Sequence, residues 1–302
     1  MIRAKNIVMT GATSGFGVEY AKQLMKITPN ATIYLFARDE SKFEALQEFA
    51  SDSGSMRFVY CNLLNIESIL SAIDEVLKHT KSIDLLIHNA GLFPSKSKQG
   101  ILLGEQKVEH ALMVNHLAPM IMTLLFAPTL KQSPNGRVVC TSSFQHANGN
   151  LNNFDFKFEK SKYSAMTAYQ NSKLYNLVIF GHLASSFSTS FDCYAFDPGI
   201  VDTQMTQQAM PLGLRYLYPV LRYFFRDIAK GAETGVYLAT QSLNTYKHKF
   251  YFRDKKPIKP HSSVGANKSA KHLFEASFVL IKDALPASSQ QVIYDLILDL
   301  QA

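Results

Sequence analysis

Tyr169 and Lys173 stand four residues apart, so on a helix both side chains project from one face. A phenol with an ordinary pKa of about 10 transfers protons poorly at neutral pH. An ammonium beside it favours the phenolate, lowers that pKa and lets the oxygen act as general acid or general base. Alone, Tyr-x-x-x-Lys favours a tyrosine packed along a lysine stem, so the rest of the chain decides. Near its start, Thr10-Gly11-Ala12-Thr13-Ser14-Gly15-Phe16-Gly17 carries three glycines between a strand-like run and a helical one. A pyrophosphate needs close approach to backbone and a helix N-terminus facing its charge, and side chains at those glycines would obstruct both. An ordinary tight turn is the alternative. Together the two patterns point to proton transfer beside a bound dinucleotide.

The end of the second strand-like run, Leu35-Phe36-Ala37-Arg38-Asp39, bears on which dinucleotide. An acid there holds the ribose 2′-hydroxyl of NAD, whereas a cation meets the 2′-phosphate of NADP. Ala37 holds the usual acidic position and Arg38 follows with a planar donor fork, so NADP(H) is favoured over NAD(H). Asp39 is read as the cap of the next helix.

Positioning these groups requires strands and helices in strict alternation, and the chain has that pattern. Strands are expected at Asn6–Thr10, Thr32–Ala37, Met56–Cys61, Ile83–His88, Gly136–Ser142, Phe191–Phe196 and Lys249–Phe252. Helices are expected near Gly17–Ile27, Glu40–Ala50, Ile66–His79, Gln106–Leu130, Ala168–Phe187 and Ala229–Ala239. The class is α/β: a Rossmann-type, doubly wound parallel sheet of six or seven strands with helices on both faces. One domain is expected over 1–302, with a substrate-covering segment about 204–228 and a helical extension about 267–302 whose docking the pattern does not predict. The polar stretches Ser95–Gly100 and Gln145–Lys162 read as loops.

The spacing Gly-x-x-x-Gly-x-Gly resembles the short-chain dehydrogenase/reductase family. Further matches follow in order over roughly residues 5 to 205: Asn89-Ala90-Gly91, with His88 where a second Asn is common; Asn115; Ser143; Tyr169-x-x-x-Lys173; and Pro198-Gly199. Val114-Asn115-His116-Leu117, the long interval from Ser143 to Tyr169 and Lys230-Gly231-Ala232-Glu233-Thr234-Gly235 look most like the retinol dehydrogenase branch. The resemblance implies roles. Tyr169 moves the proton with Lys173 beside it, and Ser143, in preference to Ser142, hydrogen-bonds the substrate oxygen. Asn115 binds a water linking Lys173 to solvent, with a satisfied structural amide as the alternative. Gly11, Thr13, Ser14, Gly15, Phe16 and Gly17 form the cofactor loop. Asn89, Ala90 and Gly91 lie on its adenosine side, where Asn62 and Leu63, replacing the family's frequent Asp-Leu, meet adenine. Pro198, Gly199, Ile200 and Thr203 flank the nicotinamide.

Apolar residues make up 47% of the 302 and charged ones 18%, the balance of a globular protein rather than a disordered one. The formal charge of +7 is dispersed, which argues against nucleic acid. Cys61, Cys140 and Cys193 form no Cys-x-x-Cys pair, with no disulfide framework or metal site expected, and Cys61 and Cys140 read as buried thiols. The start, Met1-Ile2-Arg3-Ala4-Lys5, runs straight into a strand, and Leu117–Leu130 is short for a bilayer and holds two prolines, so a cytoplasmic protein is expected, soluble or peripheral to a membrane.

The expected activity is NADPH-dependent carbonyl reduction, or the reverse alcohol oxidation, on a hydrophobic ketone, aldehyde or alcohol. The alternatives are C=C or C=N reduction, or a non-catalytic NADPH-binding regulatory protein. The aromatic run Pro211–Phe225 reads as a lid, with core or subunit contact, as in a homo-oligomer, and membrane contact as alternatives. Asn148, Asn150, Asn152, Asn153, Phe154 and Phe156 are expected to help wall the substrate pocket.

Overall fold

The computed structural model describes residues 4–49, 54–94, 100–103, 106–151, 156, 158, 162–187, 190–243, 246 and 249–299. The first half runs β1 (Asn6–Thr10), α1 (Phe16–Ile27), β2 (Thr32–Ala37), α2 (Glu40–Gln47), β3 (Ser55–Tyr60), α3 (Ile66–His79) and β4 (Leu85–His88). A hairpin of β5 (Gly100–Leu103) and β6 (Gln106–Glu109) then leads into one helical run made of α4 (His110–Leu112), a wide π-turn (Met113–Leu117) and α5 (Ala118–Lys131). The second half is β7 (Arg137–Thr141), a 3₁₀ turn (Phe144–Asn148), α6 (Ala165–Ser186), β8 (Asp192–Phe196) and the short helices α7 (Gln204–Ala209), α8 (Leu212–Arg215) and α9 (Tyr218–Leu221). A 3₁₀ turn (Arg222–Phe224), α10 (Ile228–Thr240), β9 (Tyr251–Arg253), β10 (Lys256–Pro257), α11 (Asn267–Ile281) and α12 (Ala287–Asp299) complete it.

Among the described residues the main sheet has eight strands in the order β10-β9-β8-β7-β4-β1-β2-β3, all pairs parallel except β9 with β10. The doubly wound parallel sheet is therefore present, with a two-residue antiparallel edge added. That edge follows the turn at Asp254 and Lys255, both at positive φ, and is too short to show periodicity in the sequence. The strands divide the core by alternation. Val8, Tyr34 and Phe36 face the layer of α3, α5 and α6, while Ile7, Met9, Ile33 and Leu35 face that of α1 and α10.

Two expectations need correction around the long helix. Gln106–Glu109 is a strand rather than helix, because it pairs antiparallel with Gly100–Leu103, a partner that helical periodicity does not reveal. The helical run His110–Lys131 is also 22 residues long and apolar enough, by length and composition, to cross a membrane. Of its most apolar 18-residue window, 94% is instead buried inside the protein, as expected of a core helix. Its cover includes the C-terminal helices. α11 packs on α6 and α12 on α5, and His116 Nε2 in the π-turn meets Ser277 Oγ on α11 at 2.8 Å. Part of the Ser95–Gly100 loop lies outside the described residues.

Candidate active site

α6 is flanked on several sides by core, so Tyr169 and Lys173 are both buried although one is a phenol and the other a cation. Lys173 Nζ lies 5.9 Å from the Tyr169 ring centroid and donates to the carbonyl of Thr141, at the end of β7, at 3.0 Å. Burial depresses the Lys173 pKa. It acts still more visibly on Tyr169, whose phenol is pushed up to about 12 by desolvation. The Ser143 hydroxyl works the other way and the Asp197 carboxylate adds to the rise. The expected lowering by Lys173 is thus not what this geometry produces: in a dry pocket the cost of forming a phenolate outweighs a cation whose nearest bond is to a carbonyl. At neutral pH Tyr169 carries its proton.

The two serines divide between two tyrosines. Ser143 acts on Tyr169, and its Oγ also accepts from Gln145 N–H at 3.3 Å as cap of the 3₁₀ turn. Ser142 lies against Tyr251, and its own N–H donates to the Phe196 carbonyl at 2.7 Å.

Asn115 sits in the π-turn, which leaves a main-chain carbonyl without its usual helical partner. Asn176 Nδ2, three residues beyond Lys173 on α6, donates to that carbonyl. The Asn115 side chain accepts from Leu92 N–H at 2.7 Å and donates to the Leu92 carbonyl and to Ser172 Oγ, each at 2.9 Å. These bonds match the structural alternative raised for this amide. The proximity to lysine is also real: a Cβ built on Gly91 would lie 3.6 Å from Lys173 Nζ and 3.7 Å from Asn115 Oδ1.

Asn176 was missed by sequence reasoning, although its spacing from Lys173 was a usable signal. His146 was missed as well. Its Nδ1 meets the Ser143 carbonyl at 2.6 Å and its Nε2 accepts from His261 N–H at 3.2 Å, which together define a neutral ring with the proton on Nδ1. Nothing local in the sequence connects residue 146 to 261.

A cleft of about 470 Å³ runs from the glycine loop past Arg38, Asn62 and Leu63 to Asn89–Phe93 and Thr203. Its walls are tied by a hydroxyl: Thr10 Oγ1 accepts from Asn89 N–H at 3.2 Å and from Ala90 N–H at 3.1 Å. Gly11, at φ 70°, is packed so closely that a Cβ would approach the Ala90 backbone to 2.5 Å, and at Gly17 it would meet the Gly11 carbonyl oxygen at 1.9 Å. These glycines let two strand ends and a helix start meet, and α1 begins at a glycine whose cap position offers no side chain to its free N–H groups. That donor set suits a phosphate, and exposed Arg38 on the rim suits a second one, so the residues fit a dinucleotide. Asp39 stands at the N-cap position of α2, but makes no side-chain cap bond to the helix and instead accepts from Ser41 Oγ at 2.7 Å. Asn62 commits its carbonyl oxygen to Leu64 N–H at 3.1 Å.

A second cavity, about 460 Å³ and mainly apolar, holds Ser142, Ser143, Tyr169 and Lys173 together with Pro198, Gly199 and Ile200. It adjoins the first along Phe16, Asn89, Gly91, Phe93, Thr203 and Met205. Thr203 also caps α7, accepting from Thr206 N–H at 3.3 Å. Of the run Pro211–Phe225 read as a lid, Pro211, Leu214 and Phe225 line this cavity, but Tyr216 and Phe224 are exposed. The reason is pairing: Phe225 packs on Tyr218, whose hydroxyl is bonded to Asp202 and Gln207, which fixes the opposite face outward. The proposed wall residues also differ. Asn148 bonds Gln145, Asn150 N–H bonds Asn171, and Phe156 packs into the core against Tyr175. Asn152, Asn153 and Phe154 lie outside the described residues. From that long loop, Phe144 and Gln145 line the cavity.

All three cysteines are free and buried, with the thiols of Cys61 and Cys140 pushed up to about 12 by burial. Among the described residues no cluster suited to a metal ion is found.

Comparison with known proteins agrees with this geometry. The family described as short chain dehydrogenase matches residues 5–211. Retinol dehydrogenase 12 of Mus musculus is 31% identical over 288 residues, covering 93% of this chain and 87% of its own length. Retinol dehydrogenase 11 of Mus musculus is 33% identical over 249 residues, 80% of this chain and 75% of its own. Among solved structures, an uncharacterized protein from Mycobacterium paratuberculosis superposes with a TM-score of 0.70 at 25% identity, covering 93% of this chain and 95% of that one. An NADPH-bound carbonyl reductase from chicken fatty liver shares the fold at a TM-score of 0.58 and 19% identity, covering 80% and 93%.

Proposed function

The chain belongs to the short-chain dehydrogenase/reductase family of NAD(P)-dependent oxidoreductases, and on that premise we propose that it is an NADPH-dependent carbonyl reductase, or the reverse alcohol dehydrogenase, acting on a hydrophobic ketone, aldehyde or alcohol. One observation carries the reading: an apolar cavity brings Ser143, Tyr169 and Lys173 to the edge of a cleft fitted for a dinucleotide. The similarity to retinol dehydrogenases supports an alcohol and carbonyl couple, and Arg38 beside Ala37 supports the phosphorylated cofactor.

The cleft lined by the glycine loop and Arg38 would hold NADPH, which when bound would supply the hydride that reduces the carbonyl carbon. The chain's own groups then serve the oxygen. Tyr169, kept protonated by its burial, gives the carbonyl oxygen its phenolic proton, and Ser143 donates a hydrogen bond to the same oxygen as charge develops there. Lys173 stands by the phenolate that this leaves and offsets its charge in the dry pocket. Asn115 and Asn176 brace the π-turn and α6, keeping Leu92 and Lys173 in place. In the oxidation direction the same oxygen of Tyr169 accepts the proton.

The test follows NADPH absorbance with ketones, aldehydes and unsaturated carbonyls, with products identified by mass. Tyr169→Phe should lower kcat by about 10²- to 10⁴-fold while leaving NADPH binding nearly unchanged. Near wild-type turnover in that variant would remove Tyr169 from the proton-donor role. A saturated ketone as product would favour C=C reduction instead.

A further inference from the structure

The stretch between Asp202 and Asp227 contains three arginines and no acidic residue. It folds as α7, α8, α9 and a 3₁₀ turn with two unlike faces. The inner face is pinned by Tyr218 and by Phe225, Leu214 and Pro211 at the apolar cavity. The outer face presents Tyr216 (88% exposed), Tyr223 (86%) and Phe224 (82%), with Leu217 and Val220 between them. Half of the large apolar side chains left exposed among the described residues lie between Leu214 and Ile228, which makes this a patch rather than scatter.

We propose that this outer face is a docking surface for an anionic lipid bilayer, with the mouth of the apolar cavity turned towards the lipid. Charge favours a bilayer over a protein partner. The charges inside the patch are all cationic: Arg222 is paired with Asp202 and Arg226 with Asp254, both at its border, while Arg215, among the described residues, bonds only to carbonyls of Gln208 and Met210. Tyrosines with apolar rings and polar tips, interleaved with aliphatic residues and arginine, suit the headgroup boundary. The net charge of +7 acts in the same direction. Leu214 belongs both to this exposed stretch and to the cavity lining, so an apolar compound dissolved in the membrane reaches the cavity with little exposure to water. The surface is independent of the assignment of Tyr169, because docking is measured without turnover.

The full chain is sedimented with phosphatidylcholine vesicles and with vesicles containing about a third phosphatidylserine. Binding is expected to the anionic vesicles and to weaken with salt. The triple variant Tyr216→Ser, Tyr223→Ser, Phe224→Ser should bind at least about tenfold less, as expected for three interfacial aromatic groups. These side chains do not line the cavity, so turnover of a water-soluble carbonyl compound should be unchanged. Absence of wild-type binding, or equal binding by the triple variant, overturns the proposal. So does self-association of the wild type, lost in the triple variant, without vesicle binding; that outcome identifies a contact between copies of this chain.

Discussion

At Gly17 a single added methyl group would sit 1.9 Å from a carbonyl oxygen, whereas at Gly213 it would meet nothing within 4 Å. The first position belongs to the cofactor side, where β1, α1 and the loop after β4 are packed backbone to backbone and tied through Thr10. The second belongs to the substrate side, where short helices rest on the cavity by a few inward side chains. Close-packed backbone admits one ligand shape and tolerates little change. A surface of short turns leaves selection to individual side chains, and its outer face is free for another task.

The largest contrast should come from alanine at the two glycines. Gly17→Ala must displace backbone, so a loss of about 3 kcal/mol or more is expected, together with loss of NADPH binding. Gly213→Ala, inside α8, should leave stability unchanged or raise it by about 0.5–1 kcal/mol. Thermal unfolding reads both, and similar shifts in Tm would erase the distinction.

Next comes acid sensitivity, which the buried half should dominate. His88 and His116 are held down to about 3 by burial alone, whereas an unfolded histidine titrates near 6.5. The unfolded chain therefore binds protons first as pH falls. Stability is fully present above about 6.5 and is lost progressively down to about 3, at roughly 1.4 kcal/mol per pH unit for each histidine. His88→Asn should flatten the fall in unfolding free energy between pH 7 and 5 by about 2 kcal/mol, whatever it does to stability at pH 7. An unchanged slope would mean that His88 does not stay neutral in the fold.

At the rim of the cofactor cleft the effect should be smaller and selective. Arg38→Ala is expected to weaken NADPH by about ten- to hundredfold and NADH hardly at all, since a charge-assisted hydrogen bond is worth roughly 1.5–3 kcal/mol. Calorimetry that found equal losses for both would take Arg38 out of cofactor choice. The mildest test stays on the substrate side. Phe225→Ala should raise KM for long aliphatic aldehydes by about fivefold, a loss of about 1 kcal/mol of buried contact, while Phe224→Ala leaves KM and kcat alone. If both behaved alike, the division into inner and outer faces would be wrong.

Much of this was legible in the chain because it depends on near neighbours. The alternation along β1 and β2 places successive residues on opposite faces, the four-residue step from Tyr169 to Lys173 puts both on one side of α6, and the glycines mark where a strand turns into α1. Such relations follow from the rise and twist of the backbone, so sequence alone determined the parallel sheet, the cleft at its edge and the family. The hairpin of β5 and β6, the two-residue edge β10 and the seats of α11 and α12 needed partners elsewhere in the chain. So did the sense of the chemistry. Burial by surrounding layers raises the Tyr169 pKa against the lysine four residues away, Asn176 takes the carbonyl that the π-turn releases, and Tyr218 bonding Asp202 turns Tyr216 and Phe224 outward. Desolvation and hydrogen-bond choice depend on everything that closes around a group, and residues as far apart as His146 and His261 acquire that relation only when the chain has folded.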